Sequence, residues 1–133
     1  MHGPTRSASV GRLKTRAQFQ QVLAAGVWVR SAHFALHRLD AAQGHALGAV
    51  VPKRWARRAV TRNAIRRQML ELGERALPLA PAGAYVLRLC APFDPKVFES
   101  ATSEPLRRAV RSELEALLRL ALRRAAAAGG QPS

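Results

Sequence analysis

Between Lys53 and Arg67 the chain carries seven basic side chains, Lys53, Arg54, Arg57, Arg58, Arg62, Arg66 and Arg67, and no acidic one. Repulsion among charges this dense opposes a compact state, so their use lies outside the chain. Nearly all are arginine, whose planar fork of donors matches a phosphate better than mere solubility requires. Asn63, inside the run, adds an amide that both donates and accepts. It can meet a base edge or a ribose hydroxyl, which a bare charge cannot distinguish. The chemistry this pattern suits is polyanion binding, with nucleic acid as the polyanion. A charge run is ordinarily just a solvated face, but such a face carries carboxylates among its cations, and this one has none.

A second group is less specific. His33, His37 and Phe19 are flat rings on which unpaired bases could stack, with Arg12, Lys14 and Arg38 as phosphate ligands. On spacing alone, a polar outer sheet face and one core phenylalanine is the plainer reading. Reacting groups are not evident. Asp40, Glu71 and Glu74 show no paired spacing, and there is no Gly-rich phosphate loop, HExxH or serine elbow. The single Cys90 sits in an apolar strand and reads as a buried thiol. With four scattered histidines it makes no structural zinc spacing.

These groups need a scaffold. A chain of 133 residues, 48% of them apolar, suits one globular domain with a real core. Residues 1–70 hold 13 Lys/Arg against one Asp, net +12, and residues 71–133 hold 9 against 7, net +2. The electrostatic footprint is therefore in the first half. No apolar run reaches the ~20 residues that span a bilayer, and the first residues lack the apolar core of a secretory signal. One cysteine allows no intrachain disulfide framework. The expected location is the cytoplasm.

Residues 1–11 read as a loose arm. Thr15 followed by Gln18 makes a capping box, opening a short helix over about 16–25 with Phe19, Val22 and Leu23 on one face and Gly26 as its stop. Residues 27–39 have strand character. The alternation of Phe34 and Leu36 with His33, Ala35 and His37 puts the two histidines together on the face away from the core. Asp40–Gly44 is a turn, His45–Val51 a central strand, and Pro52 its end. A second helix is expected over 56–75, with apolar strips on two sides (Ala56, Val60 and Ala64; Ile65, Met69 and Leu72) and basic rows between. A loop from Pro78 to Gly83 leads to a strand over 84–90. A last helix runs from about Ser103 to Arg124, with Pro105 in its first turn and Leu106, Val110, Leu114, Leu117 and Ala121 buried. Residues 125–133 read as a frayed tail, leaving 12–124 as a single α+β domain.

Lys53-Arg54, then Ala59-Val-Thr-Arg-Asn-Ala-Ile-Arg-Arg67 and Glu71, resembles the signature of the bacterial ribonuclease P protein subunit. Arg12-Leu-Lys14, Phe19-Gln-Gln-Val22, Gly26 and Phe34-Ala-Leu36 also fall where that family has comparable residues. The departures are Ala64 for an arginine, Ala56 for a glycine, His37 for a tyrosine, Leu23 for a second aromatic and Leu70 for a basic residue. The resemblance implies a two-layer α+β sandwich, with a mixed four-stranded sheet, three helices and a left-handed βαβ crossover. It implies a ribonucleoprotein whose RNA cleaves the 5′ leader from precursor tRNA, with Mg²⁺ held mainly by RNA phosphates and one protein per RNA. Lys53, Arg54, Arg57, Arg58, Arg62, Asn63, Arg66 and Arg67 would then hold the catalytic RNA. Arg12, Lys14, Phe19, His33, His37 and Arg38 would form a cleft for the leader. A ribosomal-type RNA scaffold and a basic DNA-binding domain are the competing readings.

Overall fold

The computed structural model describes residues 10–94 and 104–129. In chain order these form β1 (Gly11–Arg12), α1 (Arg16–Ala24), β2 (Val27–Arg30), β3 (Phe34–Asp40), β4 (His45–Val50), α2 (Ala59–Ala76), a 3₁₀ turn (Leu77–Leu79), β5 (Gly83–Leu89) and α3 (Glu104–Gly129). The sheet order is β1-β4-β5-β3-β2. β1 and β5 both run parallel to β4, while β3 is antiparallel to β5 and to β2. The α+β class and the mixed sheet are as expected, with a fifth, two-residue strand added at the β1 edge. Gly11 thus belongs to the sheet and not to an arm; residues 1–9 lie outside the described residues.

Strand alternation sorts the side chains. Phe34, Leu36, Leu47, Tyr85, Leu87 and Leu89 point to one face and are fully buried with Ile65, Met69 and Leu72 of α2 and Leu106, Val110, Leu114, Leu117 and Ala121 of α3. Ala35, His37, Gly48, Val86 and Arg88 point to the other face, where α1 lies across β3 and β5 and buries Val22. The helices therefore occupy both faces, with α1 alone on the second.

Two close approaches fix the helices. A Cβ at Gly73 of α2 would come within 2.6 Å of Leu47 Cδ2, so this glycine sets the helix directly on β4. A Cβ at Gly48 would come within 2.3 Å of the Phe19 ring, which lies against bare backbone there. The α1 capping box forms as expected: Thr15 Oγ1 accepts from Gln18 N at 3.1 Å and Gln18 Oε1 from Thr15 N at 3.0 Å. Gly26 (φ +100°) and Gly44 (φ +83°) take the left-handed conformation at the helix exit and the β3–β4 turn.

Three further expectations change. α2 begins at Ala59, because Pro52 to Ala56 form a turn in which Trp55 N and Ala56 N donate to Pro52 O. Ala56 packs in the core from that turn, not from the helix. α2 packs mainly by one strip, and Val60 is 47% exposed. At about 100° per residue it stands about 140° around the helix from Ile65. Residues 125–129 continue α3, as an alanine run should, given its helix propensity. Residues 130–133 and Ser103 lie outside the described residues.

Candidate nucleic-acid interface

The basic run splits into two parts. Lys53, Arg54, Arg57 and Arg58 are exposed in the turn before α2, with the Arg54 guanidinium 5.0 Å from the centre of the Trp55 ring. Asn63, Arg66 and Arg67 project from α2 along one face. Arg66 Nη1 donates to Asn63 Oδ1 at 3.2 Å, and Arg67 makes no hydrogen bond or ion pair among the described residues. Arg62 turns back and donates through Nη1 to Ala56 O (3.1 Å) and Arg57 O (2.7 Å). It braces the end of the preceding turn, where Arg57 sits. Ala64 is half-buried on α2.

Of the six residues expected to form a second cleft, the structure brings Phe19 and His37 to the α1 face. Leu13 also reaches Gly48 there, directly before the exposed Lys14. His37 is only 5% exposed and forms floor, not platform. Burial, and then the Arg88 guanidinium, lower its pKa; the Leu23 and Gly26 carbonyls pull the other way. Arg88 Nε lies 3.2 Å from His37 Nε2.

The other three residues go elsewhere. Arg38 falls on the opposite face by strand alternation, 5.0 Å from the centre of the Trp28 ring and paired with Asp40. His33 precedes β3 and is not governed by its alternation. Its Nδ1 lies 2.7 Å from Glu113 Oε1 on α3, and its ring stacks on Phe93 at 4.0 Å. Arg12 is held by Glu74, its Nε 2.7 Å from Oε2. The cause is the unexpected β1: Arg12 pairs with Leu47, Leu47 sits under Gly73, and Glu74 follows. Arg12 thereby joins Asn63, Arg66 and Arg67 around one recess.

Sequence reasoning passed over Arg88, whose register partner is Val50, and Gly48. A glycine inside a central strand was the available sign of a close approach. Among the described residues no group of three His, Cys, Asp or Glu could hold a metal ion, and no helix is long and apolar enough to cross a membrane.

A helix-borne arginine and asparagine face on a small α+β domain, with Glu71 and Glu74 at one end of it, has the chemistry of a nucleic-acid-binding protein. The chain belongs to the Ribonuclease P family, whose model matches residues 9–118. The ribonuclease P protein component of Paraburkholderia xenovorans is 40% identical over 114 residues, covering 84% of this chain and 81% of the relative. That of Burkholderia pseudomallei is 34% identical over 119 residues, covering 90% and 88%. Among solved structures, the Staphylococcus aureus RNase P protein superposes with a TM-score of 0.63 at 22% identity, over 83% of this chain and 94% of that one. The Thermotoga maritima protein gives 0.60 at 24% identity, over 84% and 96%. At these identities the two structures speak for the fold.

Proposed function

We propose that this chain is the protein component of a ribonuclease P and acts with the RNA subunit to remove the 5′ leader from precursor tRNA. The observation that carries this is the family match across a chain whose Asn63, Arg66 and Arg67 share one helix face. In this reading Asn63, Arg66, Arg67 and the turn cations Lys53, Arg54, Arg57 and Arg58 hold the RNA subunit, and Arg62 keeps that turn in register. The RNA carries the chemistry, with one protein per RNA. When bound, Mg²⁺ supplies an activated water for phosphodiester hydrolysis. This chain offers no cluster of ligands for it among the described residues, and none of its residues is assigned a step with the metal.

The leader, in this proposal, lies beside α1 on the strip where Val50 and Arg88 are half-buried register partners and Phe19 crosses Gly48. Phe19 offers a ring edge, while Arg88 and Lys14 offer cations. His37 supports Arg88 from below. His33 and Arg38 take no part, since each is committed to another contact.

Reconstitution tests the reading. Adding the protein to the RNA subunit of the same organism should raise cleavage of precursor tRNA at low Mg²⁺. Arg66→Ala should weaken RNA-subunit binding and lower the salt slope by about one unit. No change in cleavage or leader binding on adding the protein would sink the proposal. Tight RNA binding without any gain in cleavage would favour a pure scaffold.

A further inference from the structure

The recess between β1 and α2 has a volume of about 450 Å³ and mixed charge. Arg12, Arg66, Arg67 and Asn63 supply donors, which suits a phosphate. Glu71 and Glu74 line the same recess, which does not suit one. Each carboxylate uses a single oxygen internally. Glu74 Oε2 takes both the Nε and the Nη2 of Arg12, and Glu71 Oε2 takes Arg75 Nη2 at 3.0 Å. Their Oε1 atoms accept no hydrogen bond among the described residues. Leu70, half-buried, adds apolar surface to the recess.

A ligand for this recess brings negative charge to the arginines and hydrogen-bond donors to the carboxylates. Among RNA groups, an unpaired base offers its Watson–Crick edge to a protein. Guanine alone presents two adjacent donors there, N1–H and N2–H, the spacing a carboxylate accepts. Adenine and cytosine set a ring-nitrogen acceptor beside their amino group, and uracil flanks its single N–H with two carbonyls. Both arrangements turn a lone pair toward the carboxylate.

We propose that this recess binds an unpaired guanine nucleotide of RNA, with its Watson–Crick edge on Glu71 and Glu74, its face on Leu70 and its phosphate on Arg66 and Arg67. The inference rests on the reading of α2 as an RNA-binding helix and adds base selectivity to it.

The test exploits a sign. Removing negative charge from a surface that meets only phosphates tightens binding to all of them. At a guanine site it removes the selectivity. The ¹⁵N-labelled full chain is titrated with 5′-GMP, 5′-AMP, 5′-UMP and inorganic phosphate at constant ionic strength, following the amides of Asn63, Leu70 and Glu71. GMP should bind about tenfold more tightly than AMP or UMP, within the range of one good bidentate base contact. Glu71→Gln or Glu74→Gln should abolish that preference while phosphate binds as well or better, and preserved amide dispersion checks the fold. Equal affinity for the three nucleotides, no saturable GMP binding, or an intact preference in both variants overturns the proposal. Failure of the underlying RNA reading shows separately, as an Arg66→Ala variant with unchanged affinity and salt slope for the RNA subunit.

Discussion

His33 and His37 are four residues apart, and their surroundings are electrostatic opposites. His33 sits in the turn between β2 and β3 against an acid. Glu113 reaches from α3 to take the His33 ring at 2.7 Å, the His33 backbone N–H at 2.6 Å and the Ser31 hydroxyl. His37 sits within β3 against a base, with Arg88 Nε at 3.2 Å. One histidine latches a turn to a helix on the core side. The other is a nearly closed floor under α1. Each ring's commitment is set by a partner some 50 to 80 positions away, which local periodicity does not see.

The largest effect should come from cutting the latch. Glu113 is mostly buried, and burial alone would raise its pKa. The hydrogen bonds from Ser31 and His33 outweigh that and hold it below the usual carboxylate value. Glu113→Ala strands the His33 N–H and leaves the Ser31 hydroxyl only its longer contacts to the Phe34 backbone, at a cost of about 3 kcal/mol. Chemical denaturation should read that loss, with a Tm lower by roughly 10 °C. Because the folded pKa is depressed, the latch's stability is present above the unfolded value of 4.5 and is lost as pH falls through the lower folded value. A variant as stable as the parent would mean that His33 is as uncommitted as its sequence position suggests.

A smaller effect should come from the other histidine, with protonation now costing stability. The pKa of His37 is lowered from 6.5, so between that value and the folded one the unfolded chain binds more protons. Stability should decline as pH falls from 6.5 into that window, and His37→Gln should flatten this part of the profile. An NMR titration midpoint for His37 at or above 6.5 would erase the contrast between the two rings.

Much of the fold was legible because its signals are local. The Thr15–Gln18 box, the Gly26 stop, the Phe34/Leu36 alternation and the five buried positions from Leu106 to Ala121 all follow from near neighbours. The Asn63–Arg67 face was legible too, since helix periodicity places it. What escaped was non-local. β1 is two residues long, too short for a pattern, yet it carries Arg12 from the expected cleft to Glu74. The start of α2 was misplaced because Arg62 braces a turn whose composition resembles a helix. Arg38 and His37 are neighbours in sequence but lie on opposite faces of β3, so sharing a basic, aromatic segment did not mean sharing a site.

That last split gives the finest test of the molecule's two faces. Arg88 and Arg38 are both half-buried strand arginines, one on β5 beside the Phe19 strip and the other on β3 across the sheet, stacked on Trp28. If the leader lies beside α1, Arg88→Ala should weaken binding of precursor tRNA about three- to tenfold in the reconstituted particle, as loss of one phosphate contact would. Mature tRNA should be unaffected. Arg38→Ala should leave both substrates alone, since its guanidinium already serves Trp28 and Asp40. Equal losses from the two variants would mean that the leader does not distinguish the faces. A loss from Arg38→Ala alone would move the leader to the edge formed by β2 and β3, where Val27 and Leu39 are exposed beside Trp28.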